Sequence, residues 1–163
     1  MHKLRTRRIN RANWETWAPF VLHYMRRAFP RKLWWTSKNF LSMFDEGRYI
    51  ARVATVNDEF AGFIFGIAAE NPESIIGKIP DGQRLMHAYY LFLAPEFRSQ
   101  GLGTRMLAEF ITYAKRFGYH KLSAFAKVGP SLHNVKKLGM TELEVKKNFY
   151  DTGDTYVLCA MDL

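Results

Sequence analysis

"APEFRSQGLGTRML", residues 94–107, lies where a run of strand formers gives way to a helical stripe. Upstream, "LMHAYYLFL" (85–93) is rich in β-formers and apolar almost throughout. It has no wet face, so it reads as a central strand covered on both sides. Downstream from Leu102, the residues Met106, Leu107, Phe110, Ile111, Ala114 and Phe117 recur at steps of three and four, which makes one helical stripe. Lys115 and Arg116 suit the negative end of that helix, and Gly118 suits its C′ position. Between strand and helix stand Arg98, Gly101 and Gly103. A Walker loop requires G-x-x-x-x-G-K-[ST], which is not present, and a dinucleotide fingerprint requires a third glycine where Met106 stands. What remains is R-x-x-G-x-G at the start of a helix. The first N–H groups of a helix lack internal acceptors, and bare glycines let a diphosphate lie directly against them. A tight turn that merely needs glycine fits the same spacing.

Working outward, "KLRTRRI" reads as a first strand. Asn13 is positioned to cap a helix running through Phe29, with Trp14, Trp17, Phe20, Val21, Tyr24 and Met25 at helical spacing and Pro30 as its stop. Ser37 opens a second helix, ended near Gly47. "RYIARVATV" and "FAGFIFGIA" form strands around the hairpin connection "NDE". "NPESIIGKIPDGQR" reads as loop. "KLSAFAK" is a strand, "PSLHNVKKLG" a short helix, and two closing strands lie around "LEVKKNFY" and "TYVLCAMDL", joined by "DTGD". The expected order is β-α-α-β-β-β-α-β-α-β-β. That is a mixed α/β (α+β) domain with a mostly antiparallel sheet flanked by helices.

The chain has 163 residues, 48% apolar, which is enough for one folded domain with a real core. No run approaches a membrane span, and the basic N-terminus lacks the apolar segment of a signal peptide. A cytoplasmic protein that does not enter membranes is expected. Cys159 stands alone, so no intrachain disulfide forms, and no metal-ligand spacing occurs. The net charge is +9, and basic residues crowd the first third of the chain. Such charge favours an anionic partner, whether nucleic acid, a phosphorylated cofactor or an acidic protein, and is also compatible with a solvated face.

The stretch "YYLFLAPEFRSQGLGTRML" resembles the cofactor-binding segment of the GNAT superfamily of N-acetyltransferases. "KKLGM" followed by strands resembles that family's later segment. The element order fits along nearly the whole chain. The resemblance implies one N-acetyltransferase domain over residues 1–163, with acetyl-CoA as acyl donor and no metal. It implies that the backbone of Leu91, Phe92 and Leu93 pairs with the pantetheine arm like an added strand. Arg98 belongs to the motif, and Ser99, Gln100, Gly101, Leu102, Gly103 and Thr104 would form the pyrophosphate cradle. It further implies that the central strand and "KLSAFAK" splay apart to make a slot for the thioester.

The catalytic positions depart from the family pattern. Where many members carry a tyrosine that protonates the leaving thiolate, this chain has Val135. An asparagine position holds Val128, and a glutamate-base position holds Ser123. His87 and Tyr89, two apart on the central strand, share a face and are the substitutes; His87, near the mouth of the strand, has a reference pKa suited to taking a proton. Tyr89 and Tyr90 are expected to face opposite ways. His133, Asn134, Tyr150 and Tyr156 are weaker candidates. An α-amine, with a pKa of about 7.7–8.0, needs far less help to lose its proton than a lysine-like amine near 10.4, so sparse acid–base groups favour a low-pKa acceptor. The reading is direct acetyl transfer to a primary amine, small or macromolecular. A catalytically degenerate acyl-CoA-binding or nucleic-acid-binding module on the same scaffold is the alternative. Neither the acceptor nor the oligomeric state is encoded in a motif.

Overall fold

A computed structural model describes residues 3–163. Its strands and helices follow the expected order, with one added helical turn. They are β1 (Leu4–Arg8), α1 (Trp14–Ala28), α2 (Ser37–Glu46), β2 (Tyr49–Val56), β3 (Glu59–Ala68), α3 (Glu73–Ile76), β4 (Leu85–Leu93), α4 (Leu102–Arg116), β5 (Lys121–Lys127), α5 (Pro130–Lys137), β6 (Thr141–Lys146) and β7 (Tyr156–Asp162). The added turn is α3, which lies within the segment expected to be loop. The strands make one seven-stranded sheet in the order β1-β2-β3-β4-β5-β7-β6, which puts β4 at its centre. Every neighbouring pair is antiparallel except β4 and β5, which α4 joins as a crossover.

Local chemistry sets the boundaries. Asn57 and Asp58 both take positive φ, 51° and 67°, which makes the β2–β3 hairpin a two-residue turn. Phe29 is forced extended by the proline after it, and α1 stops there. Two caps differ from expectation. Asn13 makes no side-chain cap to α1; its Oδ1 accepts instead from Asn10 N (2.9 Å). Thr36, not Ser37, caps α2, in a capping box with Asn39. Phe117 falls just past the last turn of α4 and is half exposed, so the buried stripe ends at Ala114.

The sheet is covered on both faces. On one, Met106, Leu107, Phe110 and Ala114 of α4 pack against Ile64, Met86 and Leu122. On the other, Trp14, Val21 and Met25 of α1 and Phe40 and Phe44 of α2 pack against Phe63, Phe65, Tyr90 and Phe92. The second layer is largely aromatic, with Phe40 in contact with Trp14 (4.8 Å between centroids) and Phe65 (5.3 Å). Cys159 is fully buried in the first layer. Among the described residues no helix is long and apolar enough to cross a membrane.

Candidate active site

Two irregularities in β4 create the site. The first is a bulge: Phe65 pairs with Tyr90 but Gly66 pairs with Ala88, so Tyr89 is the extra residue. The bulge breaks the period of two. Tyr89 and Tyr90 therefore do not face opposite ways. Their rings meet at 4.8 Å, and both touch Trp35. The second irregularity is a divergence. β4 and β5 pair only from Leu85 with Lys121 to Ala88 with Ala124, although β4 continues to Leu93 and β5 to Lys127. Beyond Ala88 the two strands part, as the expected slot requires. Ala94 N–H donates to Ala61 O on β3 (2.9 Å), so strand alternation turns the N–H and C=O of Leu93 toward the slot. Arg98 Nε donates to that carbonyl (3.3 Å), which folds Arg98 back onto the end of the strand.

At the far end of β4 lies the glycine turn. Ser99 and Gly101 both have left-handed backbone, φ 60° and 78°. Such residues aim successive N–H groups into one concavity, and Gly101 meets no steric penalty there. Gly101 is the N-cap of α4. No side chain caps that helix, and Arg105 N–H donates to Gly101 O (3.1 Å). The N–H groups of Leu102, Gly103 and Thr104 precede that bond and face outward from the first turn. At Gly103 a Cβ would meet only Leu93 Cδ1, at 3.7 Å. The protein itself therefore does not demand glycine at this point, and the uncrowded Cα opens onto free space. A phosphate-sized anion fits this turn. Gln100 Nε2 donates to Glu96 O (3.0 Å) and braces the loop.

At the other end of the slot is a ring of aromatic residues. His87 lies opposite Ser123, one pair before β4 and β5 part, and its Nδ1 is 2.8 Å from Ser123 Oγ. It touches Tyr89 (6.2 Å) and Phe125 (5.6 Å). Although it is near the mouth of the strand, His87 does not stand open to solvent. His87 is buried, and burial lowers its pKa from 6.5 to about 4, so the ring is neutral at physiological pH. Phe125 leads to Phe149 (4.9 Å) and Tyr150 on the β6–β7 connection and to Tyr156 at the start of β7. Burial pushes Tyr150 up to about 12, with the Tyr89 hydroxyl adding to the shift, and Tyr90 is raised as well. Tyr150 itself has φ 63° between the left-handed Asn148 and Asp151, a strained loop.

Other residues of the ring carried no local signal in the sequence. Trp35 lids Tyr89 (5.2 Å), and Leu33 O accepts from Tyr90 Oη. Lys32 donates to Asp151, 119 positions away, and so joins the α1–α2 connection to the β6–β7 connection. Only the aromatic turn "NFYDTGD" marks the second of these segments. Val135, at the family tyrosine position, is buried in the α4-side core and presents nothing to the slot. His133 is exposed on α5, away from this ring, and Asn134 is half-buried beside it. Among the described residues no group of His, Cys, Asp or Glu is placed to hold a metal ion.

The profile of the acetyltransferase (GNAT) family matches residues 8–140. No curated protein matches the chain by sequence. Among solved structures, Arabidopsis thaliana NAA60 in complex with acetyl-CoA superposes with a TM-score of 0.80 at 16% identity, covering 99% of both chains. The ribosomal-protein-S18-alanine N-acetyltransferase from Escherichia coli gives 0.72 at 20% identity, over 98% of this chain and 94% of that one. The NatC complex bound to Gag peptide and CoA gives 0.79 at 10% identity, over 99% of both.

Proposed function

This chain belongs to the GNAT family of acetyltransferases, and from that premise we propose that it moves an acetyl group from acetyl-CoA directly to the α-amine of a peptide or protein. The observation that carries the reading is the pairing of an open slot beyond Ala88 with an uncrowded glycine turn at its end. Along Leu91, Phe92 and Leu93 the N–H and C=O of Leu91 and Leu93 turn to the slot and would bond an extended pantetheine arm, while Phe92 between them pairs with β3. Ser99, Gln100, Gly101, Leu102, Gly103 and Thr104 supply N–H groups for the pyrophosphate, and Arg98 braces the strand end beside them. Acetyl-CoA supplies an activated thioester carbonyl when bound. The Leu93 N–H faces the slot and would steady negative charge on an oxygen placed there.

The acceptor enters from the aromatic end, at His87 and Tyr89. In the tautomer that donates Nδ1–H to Ser123 Oγ, the other imidazole nitrogen keeps a lone pair that would orient an incoming neutral amine. A ring titrating near 4 does not take a proton outright from an ammonium: against an α-amine of pKa about 8 that transfer is uphill by roughly 5 kcal/mol. The amine therefore sheds its proton to water and arrives neutral. At pH 7 roughly a tenth of an α-amine is neutral, against about one part in 10³ of a lysine side chain. Three of the structural neighbours are bound to, or named for, peptide or protein acceptors, which supports the peptide class.

The test is CoA release on a panel pairing peptides with free α-amines against the same peptides blocked at the N-terminus but bearing lysine, from pH 6.5 to 9. Turnover of the free α-amines, rising with their neutral fraction, is expected. Acetyl-CoA binding without turnover of any amine would overturn the enzyme and leave a degenerate acyl-CoA-binding module.

A further inference from the structure

We infer that the acceptor is acidic just beyond its reactive amine, and that the two segments flanking the aromatic ring select it by charge. This deepens the peptide reading and rests on it. The α1–α2 connection covers one side of the ring: Trp35 lies on Tyr89, and Leu33 O holds Tyr90. The last turn of α1 brings Arg26 and Arg27 into it, and the following 3₁₀ turn adds Arg31 and Lys32. The β6–β7 connection covers the other side, with Lys147 exposed next to Phe149 and Tyr150. Across residues 26–36 and 147–155 the acidic residues are Asp151 and Asp154, and Asp154 is paired with Lys127 (3.1 Å). Asp151 is committed to Lys32, whose hydrogen bond and charge hold its carboxyl below the usual range. Arg26, Arg27, Arg31 and Lys147 make no ion pair among the described residues.

This charge does not serve the CoA phosphates. Their turn, residues 94–104, carries Arg98 and Glu96, which balance, and it lies at the opposite end of the slot. Part of the +9 of the chain thus stands where the acceptor enters; another part lies on the edge strand β1, with Arg5, Arg7 and Arg8. A lysine-rich substrate would meet like charge on both sides of the mouth, whereas Asp or Glu at the second to fifth positions of a peptide would be drawn in and held. The same cations could face the phosphates of an amine-bearing RNA. The packing of the aromatic residues favours the peptide. The rings pack against one another rather than standing free to stack bases.

The experiment uses three peptides with an identical first residue and α-amine: one continues with aspartates, one with glycine and serine, one with lysines. kcat/KM is measured by CoA release at about 20 and 300 mM salt. At low salt the acidic peptide should exceed the neutral one by at least about tenfold and the lysine peptide by more. That preference should shrink several-fold at high salt, as rim electrostatics are screened. In Arg31→Glu/Lys147→Glu the acidic-to-neutral ratio should collapse toward one; neutral-peptide turnover in the same variant reports its folding. Equal rates for all three peptides would overturn the charge selection and leave the proposed activity standing. No turnover of any peptide would overturn both. Turnover of an aminoacyl-RNA with none of the acidic peptide would overturn the peptide assignment in favour of nucleic acid.

Discussion

Burying His87 neutral makes stability depend on pH in a window set by that one ring. Its pKa falls from 6.5 to about 4 on folding, a preference for the neutral form of about 3 kcal/mol at ~1.4 kcal/mol per unit. The unfolded chain takes up the proton near pH 6.5, while the folded one resists to about 4. The unfolded state therefore binds more protons between those values. The contribution is complete above pH 6.5 and is lost as pH falls toward 4, about 2.5 kcal/mol of it by pH 4.5. Urea denaturation at pH 7.0 and 4.5, on the wild type and on His87→Gln, isolates the effect because the carboxylates and the general positive charge titrate in both. With a slope of about 2 kcal/mol/M, the wild-type midpoint should drop about 1 M further than that of the variant. Equal drops would refute the burial argument and return His87 to an ordinary, solvated imidazole. By the same reasoning kcat/KM should show no limb near pH 6.5 and should follow the acceptor amine instead.

Two further outcomes test the donor end and the layer above the ring. Gly103→Glu puts a carboxylate into the open space over the first turn of α4, and should abolish acyl-CoA binding by calorimetry while the far-UV dichroism and thermal transition of the protein persist. Thr36→Ala removes the capping box of α2, and should cost about 1 kcal/mol in a denaturant titration, since Asn39 alone cannot satisfy the freed N–H.

Much of this fold was legible because its elements announce themselves by period. The stripe from Leu102 to Ala114 and the apolar run from Leu85 to Leu93 need no tertiary knowledge, and the glycines mark the turn between them. The failures have a common cause. The Tyr89 bulge is a property of how β4 lies on β3, and an alternation rule that counts by two cannot see the extra residue. Asn13 was a sound cap by composition, but Asn10 lies close enough to engage it instead. Phe117 continued the helical count one step beyond Arg116, where α4 ends and Gly118 then turns the chain away. In the candidate site, the motif from Arg98 to Gly103 was readable as local backbone chemistry. The aromatic ring was not, because Trp35, Phe149 and the Lys32–Asp151 bridge are brought together from distant parts of the chain.

The parting of β4 and β5 also has a mechanical side. Strands β1 to β4 form one hydrogen-bonded panel and β5 to β7 another, and the backbone seam between them is only the stretch from Leu85 to Ala88 against Lys121 to Ala124. Each panel is laddered along most of its strands, interrupted only by single bulges. The seam is a short hinge with a gap beyond it, spanned elsewhere by side chains and by α4. A molecule wedged in that gap would act as a splint, and opening or closing the gap by a small rotation about the seam breaks no ladder in either panel. The molecule thus has one soft direction built into an otherwise rigid sheet, and that direction runs through the place where its donor and acceptor would meet.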